Sequence, residues 1–163
     1  MSNRQRNRRE PLVPALLDQA THLGMVGVRA RLALQILTES RESTIPVRFV
    51  VDSGAMYSII SLAFAQNYRF ADLPPPEAEI DLTIRTARGF DAIRVRPGRI
   101  RLWWNPDQSG YWFDWPVLFR VDAPPEVPPL LGLGGIIKTC RWTFDGEYSF
   151  EAAYGTLLLE DTR

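Results

Sequence analysis

The segment Met25 to Leu37, MVGVRARLALQIL, places apolar residues at alternate positions for most of its length, and this spacing constrains the fold more than any other feature of the chain. A period of two gathers the apolar side chains on one face of an extended strand, whereas a helix would scatter them around its axis. IPVRFVV repeats the pattern after the polar turn TESRES. AEIDLTIRTARGFDAIRVRPGRIRLWW reads as three short strands, with turns at Ala87-Arg88-Gly89 and Pro97-Gly98. Asn105 to Gly110 then joins RIRLWW to YWFDWPVLFRV as a hairpin. Asp145-Gly146 is expected as a further hairpin turn and TLLLE as a last apolar segment. A short helix is expected through Phe64 and Ala65, capped by Ser58 or Ser61 and ended before Pro74, Pro75 and Pro76. The prediction is a mostly β fold with one or two short helices and no internal repeat.

A chain of 163 residues fits one domain that needs no disulfide or metal to hold it. Its 45% hydrophobic content is too rich for disorder, and 23% charged residues with no long apolar window argue against a membrane span. Nineteen basic residues balance nineteen acidic ones, so the molecule as a whole has no pull on nucleic acid or anionic lipid. Basic residues cluster only in MSNRQRNRRE, where no aromatic interleaves with Arg4, Arg6, Arg8 and Arg9. Residues 1–23 are therefore read as a basic, flexible segment and 24–163 as the folded domain. PLVPALLDQATHLG, broken by Pro14 and Asp18, does not read as a signal peptide. A lone cysteine, Cys140, suits a reducing compartment and a core position, so a cytoplasmic location is expected. Trp103, Trp104, Trp112 and Trp115 fall on adjacent strands, which points to cross-strand packing before any ligand box.

One histidine, His22, and one cysteine leave no zinc site of thiolates and imidazoles within one chain, and any Ser-His-Asp or Cys-His site would have to use His22. Carboxylate chemistry remains, and Val50 to Ala55, VVDSGA, delivers an aspartate, a hydroxyl and a glycine at the end of an apolar run. Asp52 there would stand at the floor of a cleft, partly desolvated and rigid. Gly54 would let two backbones approach closely. Far downstream comes PLLGLGG, Pro129 to Gly135.

An apolar strand into Asp-Ser-Gly-Ala, a glycine-bearing hairpin, and then two apolar residues before a glycine resemble the retropepsin-like aspartic peptidases, over roughly Gly24 to Phe150. The resemblance implies a closed β-barrel of the acid-protease type, a single lobe. It implies Asp52 as the catalytic carboxylate, with Ser53 linking the two catalytic loops by its hydroxyl and Gly54 completing the motif. Ala55, Leu130, Leu131 and Gly132 would support the site, with a short helix starting near Gly134. Thr86, Ala87, Arg88, Gly89 and Phe90 would form the tip of a flap over an extended peptide or protein substrate.

The family's chemistry needs two aspartates sharing one proton, and this chain carries one such motif. A homodimer is therefore implied, with neither cofactor nor metal, and no nucleic acid or membrane as partner. Many members continue the second motif as Leu-Gly-Arg-Asp; here it runs Leu131-Gly132-Leu133-Gly134, without the polar pair that buttresses base or dimer. Residues 6–17, RNRREPLVPALL, form a candidate self-processing stretch. The other readings are a retropepsin-like barrel that binds peptides without cutting them, and an unrelated β-barrel with an RNA-binding arginine tail.

Overall fold

The alternating segment is one long strand, β2 (Met25–Leu37), and the remainder of the sheet is organised along it. The computed structural model describes residues 13–22, 25–52, 54–86, 89–104, 111–132, 134, 140–145 and 156–161. Before β2 lies β1 (Val13–His22). After it come β3 (Thr44–Val51), β4 (Ile59–Ser61), helix α1 (Leu62–Asn67) and a 3-10 turn at Pro76–Ala78. The chain continues through β5 (Ile80–Thr86), β6 (Gly89–Trp104), β7 (Tyr111–Arg120), β8 (Leu130–Leu131), β9 (Cys140–Asp145) and β10 (Thr156–Asp161). The protein is mostly β, as expected, with one short α-helix among the described residues.

Ten strands pair in the order β5-β6-β7-β4-β8-β3-β2-β1-β10-β9. A further pairing joins β6 to β2 through Gln35 opposite Trp103 and Ile36 opposite Leu102. Pairings therefore run from β2 through β3, β8, β4, β7 and β6 and return to β2. The alternation explains what fills the space inside. Leu32, Leu34 and Ile36 of β2 and Val47 and Phe49 of β3 are buried, while Arg31, Ala33 and Arg48 between them are exposed. Ile60, Trp115, Phe119 and Leu131 complete the cluster.

The helix starts where Ser61 stops the β4 ladder. Its Oγ accepts from the Phe64 N–H at 3.3 Å and donates to the Ala123 carbonyl at 2.8 Å, so Ser61, of the two expected caps, is the one used. Leu62 and Ala65 face the core. At the far end of β7, Arg120 donates to Asp122 at 2.8 Å, and this hydrogen bond holds the Asp122 carboxyl below its ordinary range.

Two expectations change, and two others fall in part outside the described residues. The segment expected ahead of the domain contributes a strand: β1 pairs with β2 from Leu16–Arg31 to His22–Met25 and with β10 from Val13–Leu159 to Leu16–Thr156. A strand needs only five or six residues, so Pro14 and Asp18 do not prevent one, and Asp18 stands opposite Arg29 in the register. Residues 1–12, with the arginine cluster, lie outside the described residues. The partner of β9 is β10, with Asp145 opposite Thr156; Gly146 of the expected turn lies outside the described residues. So do Asn105 to Gly110 between β6 and β7, although Trp104 pairs with Tyr111 as a hairpin there requires.

The second change concerns Pro97-Gly98, expected as a turn and found inside the 16-residue β6. Pro97 stands opposite Leu118, whose N–H goes instead to the Ser58 carbonyl at 2.9 Å. The 97–118 pair is thus not hydrogen-bonded across β6 and β7, and β5 has already ended opposite Val95, so the N–H that proline lacks is not required. The buried face changes sides at this point: Ile93 and Val95 are buried before it, Ile100 and Leu102 after it. Gly98 makes the change possible, since a Cβ there would come within 2.9 Å of the Phe119 ring and 3.2 Å of Pro74. Gly98→Ala is expected to lower stability by about 1–3 kcal/mol through this overpacking. Pro97→Ala should cost less than about 1 kcal/mol. Urea unfolding of both variants measures the difference; equal midpoints would restore the turn reading.

Candidate active site

Asp52 is the first residue past β3, and its position is fixed by the strand beside it. Val50 and Val51 pair in parallel with Leu130 and Leu131 of β8. The Val50 N–H donates to the Pro129 carbonyl at 2.9 Å and the Asp52 N–H to the Leu131 carbonyl at 3.0 Å. The chain then turns on the aspartate itself. Asp52 Oδ1 accepts from the Gly54 N–H at 2.8 Å and the Asp52 carbonyl from the Ala55 N–H at 3.2 Å, so side chain and backbone both close the turn. The carboxylate is half-buried and ends in a fixed direction, with one oxygen engaged by a backbone donor.

Glycine is required on the opposite side of this turn. A Cβ on Gly132 would meet the Tyr57 carbonyl oxygen directly and come within 2.5 Å of the Tyr57 carbonyl carbon and 2.8 Å of the Ala55 oxygen. Gly134 is similarly seated on the Met56 carbonyl, to which its N–H donates at 2.7 Å. Residues 55–57 therefore lie flat on the chain leaving β8. The close backbone approach expected at Gly54 belongs, within one chain, to Gly132 and Gly134; a Cβ on Gly54 would meet only Asp52 Oδ1, at 3.3 Å.

A buried hydroxyl completes the floor. Ser58 is 1% exposed, and its Oγ accepts from Trp115 Nε1 at 3.0 Å and from the Gly132 N–H at 3.1 Å. Neither Ser58 nor Trp115 stood out as a site residue in the sequence. The signal for Ser58 is a lone hydroxyl at the start of the apolar YSII; Trp115 shares its pattern in the sequence with Trp103 and Trp112, which behave otherwise. Trp103 and Trp112 do meet across strands, ring centroids 5.1 Å apart and edge to face, whereas Trp115 points into the core. An apolar cavity of about 370 Å³ adjoins the loop at Tyr57, Ser58 and Gly134, lined by Pro97, Gly98, Pro116, Val117 and Leu118; Asp52 is not part of it.

Of the expected site residues, Asp52, Gly54, Ala55, Leu130, Leu131 and Gly132 are brought together in one knot, with Leu131 wholly buried beneath it. Ser53 lies outside the described residues, as does the stretch 135–139 where a helix was expected. The flap candidates stand on a ribbon in which, among the described residues, Gly89 to Ile93 pair with β5 alone, while the Arg94 carbonyl already accepts from the Val121 N–H at 2.8 Å. Thr86 pairs with Gly89, whose φ of 129° only glycine takes readily, and Thr86 Oγ1 donates to the Gly89 carbonyl at 3.3 Å. Phe90 is 76% exposed; Ala87 and Arg88 lie outside the described residues.

Among the described residues no group of three or more His, Cys, Asp or Glu is placed to hold a metal, and no helix is long and apolar enough to cross a membrane. A scan against protein-family models gives no match, and a search of curated proteins gives none either.

Gly132→Ala must drive a methyl into two carbonyls of the turn and is expected to cost about 3 kcal/mol or more, while Gly54→Ala should cost about 1 kcal/mol or less. Thermal unfolding of the two variants tests the assignment; a Gly132→Ala protein as stable as the parent would show that the chain after β8 does not brace the Asp52 turn.

Proposed function

We propose that the chain is an aspartic endopeptidase of the retropepsin type, working in the cytoplasm as a homodimer on extended peptide or protein segments. The observation that carries this reading is the seating of Asp52: a carboxylate at the end of a strand, turned by its own backbone and supported by an apolar-apolar-glycine segment from far along the chain. An ordinary strand ending in a turn needs no such support. The circuit of pairings from β2 round to β6 and back supports reading the sheet as the closed barrel of that family.

A single carboxylate cannot act as base and acid in the same step, so two copies of Asp52 must meet. At a two-fold axis the pair shares one proton, since like charges at such distances do not both ionise cheaply. The ionised Asp52 takes a proton from a water held between the pair, and the resulting hydroxide oxygen bonds to the scissile carbonyl carbon. The partner subunit's Asp52, protonated, gives its proton to the carbonyl oxygen. The tetrahedral diol then collapses: the carbon–nitrogen bond breaks, the leaving nitrogen receives the proton taken from water, and a diol hydroxyl returns its proton to the other carboxylate. Oδ1 of Asp52 is engaged by the Gly54 N–H, and in this reading Oδ2 is the oxygen that faces water.

The β5–β6 ribbon is the flap in this reading. Its base is anchored by the buried Ile93 and by the Val121 N–H donating to the Arg94 carbonyl at 2.8 Å, while its tip is exposed, which suits a segment that lifts to admit substrate. Phe90, exposed at its tip, gains cover when peptide lies beneath it.

Asp52→Asn keeps the shape and the Gly54 bond but removes the base. It is expected to lower cleavage of a diverse peptide library by at least ~100-fold with the sedimentation profile unchanged. A wild-type dimer that binds peptides and cuts none would instead make the protein a peptide-binding module, and cleavage by a monomer would overturn the shared-aspartate mechanism.

A further inference from the structure

We infer that Ser58 is a positioning residue for the Asp52 carboxylate, acting through the single peptide unit between Leu131 and Gly132; this rests on the peptidase reading for its catalytic consequence. The Leu131 carbonyl accepts from the Asp52 N–H at 3.0 Å, and the Gly132 N–H donates to Ser58 Oγ at 3.1 Å. These are the two polar ends of one planar, rigid group, so the setting of its N–H sets the direction of its carbonyl. Ser58 is in turn held from the core. Trp115 Nε1 donates to the same Oγ at 3.0 Å, and Trp115 is 1% exposed within β7. The Ser58 carbonyl accepts from the Leu118 N–H at 2.9 Å, which fixes the residue's backbone to the same strand.

A relay thus runs from the Trp115 indole to the Ser58 hydroxyl, across the Leu131–Gly132 peptide, to the backbone of Asp52. Every link is a hydrogen bond of ordinary length, and the hydroxyl uses both of its acceptor sites. The rest of the turn cannot shift independently, because Gly132 lies against the Tyr57 and Ala55 carbonyls. Without the Ser58 hydroxyl the peptide unit can rotate, and the Asp52 turn follows it. Displacements of this size remote from the reacting atoms weaken catalysis much more than binding. The indole of Trp115 consequently serves the site as well as the core, and connects the β6–β7 hairpin to the carboxylate.

The experiment compares wild type, Ser58→Ala, Ser58→Thr and Trp115→Phe in two readouts. The first is amide hydrogen exchange, which needs no activity. In Ser58→Ala the Asp52 and Gly132 amides should exchange about tenfold faster or more, while the β2–β3 amides of Leu32 and Phe49 keep their wild-type rates. Ser58→Thr, which keeps the hydroxyl, should restore both, and Trp115→Phe should fall between. The second is peptide cleavage: Ser58→Ala should lower kcat by roughly 10- to 100-fold with KM within about threefold, and Ser58→Thr should recover most of it. Unchanged Asp52 exchange in a folded Ser58→Ala protein overturns the relay, as does a uniform rise in exchange at all amides, which would mark simple destabilisation. Should Ser58→Ala not fold, Trp115→Phe carries the same test alone. No cleavage by wild type would bring down the peptidase reading while the exchange result still decides the relay.

Discussion

Two residue pairs in parallel, Val50 with Leu130 and Val51 with Leu131, hold the Asp52 turn against the chain leaving β8. They are a small contact between a strand of eight residues and one of two, yet they close the distance between segments far apart in the chain. Such a short ladder has little stability of its own. It persists because Leu131 is fully buried among Phe49, Ile60 and Phe119, and because two glycines let the chain leave β8 against the backbone of residues 55–57. The apolar effect supplies the attraction, and the absence of two Cβ atoms makes the approach geometrically possible. The carboxylate of Asp52 inherits its direction from that contact.

The long strand β6 shows the opposite economy, one element doing several tasks along its length. Its first part forms the exposed ribbon with β5, its middle exchanges one buried face for the other around Gly98, and its last residues meet β2. Ribbon and core are therefore continuous through a single backbone. From Val95 onward β7 takes up the pairing, opposite Arg120.

Period two made much of this legible. β2 and β3 and the β6–β7 hairpin were recognisable because their apolar residues alternate and the polar ones between them face out, and Ser61 read as a cap for the reason it acts as one. The sequence misled wherever a local signal is overridden by a partner it cannot name. Pro97-Gly98 has the letters of a turn, and only the N–H of Leu118 going to Ser58 shows why a strand tolerates them. Pro14 and Asp18 conceal β1 because its partners, β2 and β10, come later in the chain. The site divides the same way. Asp52 and the Leu-Leu-Gly segment form a pattern with intrinsic meaning, whereas Ser58 is an unremarkable serine until Trp115 and Gly132 are seen to converge on it.

This division bears on how two chains would make one catalytic pair. Within its own chain Asp52 is oriented by Gly54 and Leu131, with Gly132 behind it and Ser58 and Trp115 below. In the peptidase reading, folding and assembly are then separate requirements, the first met by core packing and the second by whatever surface the copies share. The second motif runs Leu131-Gly132-Leu133-Gly134 without an Arg-Asp pair, and in the peptidase reading the glycine contacts and the proposed Ser58 relay would give Asp52 its support from within the chain. Loss of the dimer should on this argument leave the Asp52 turn intact, a site built but without its second carboxylate.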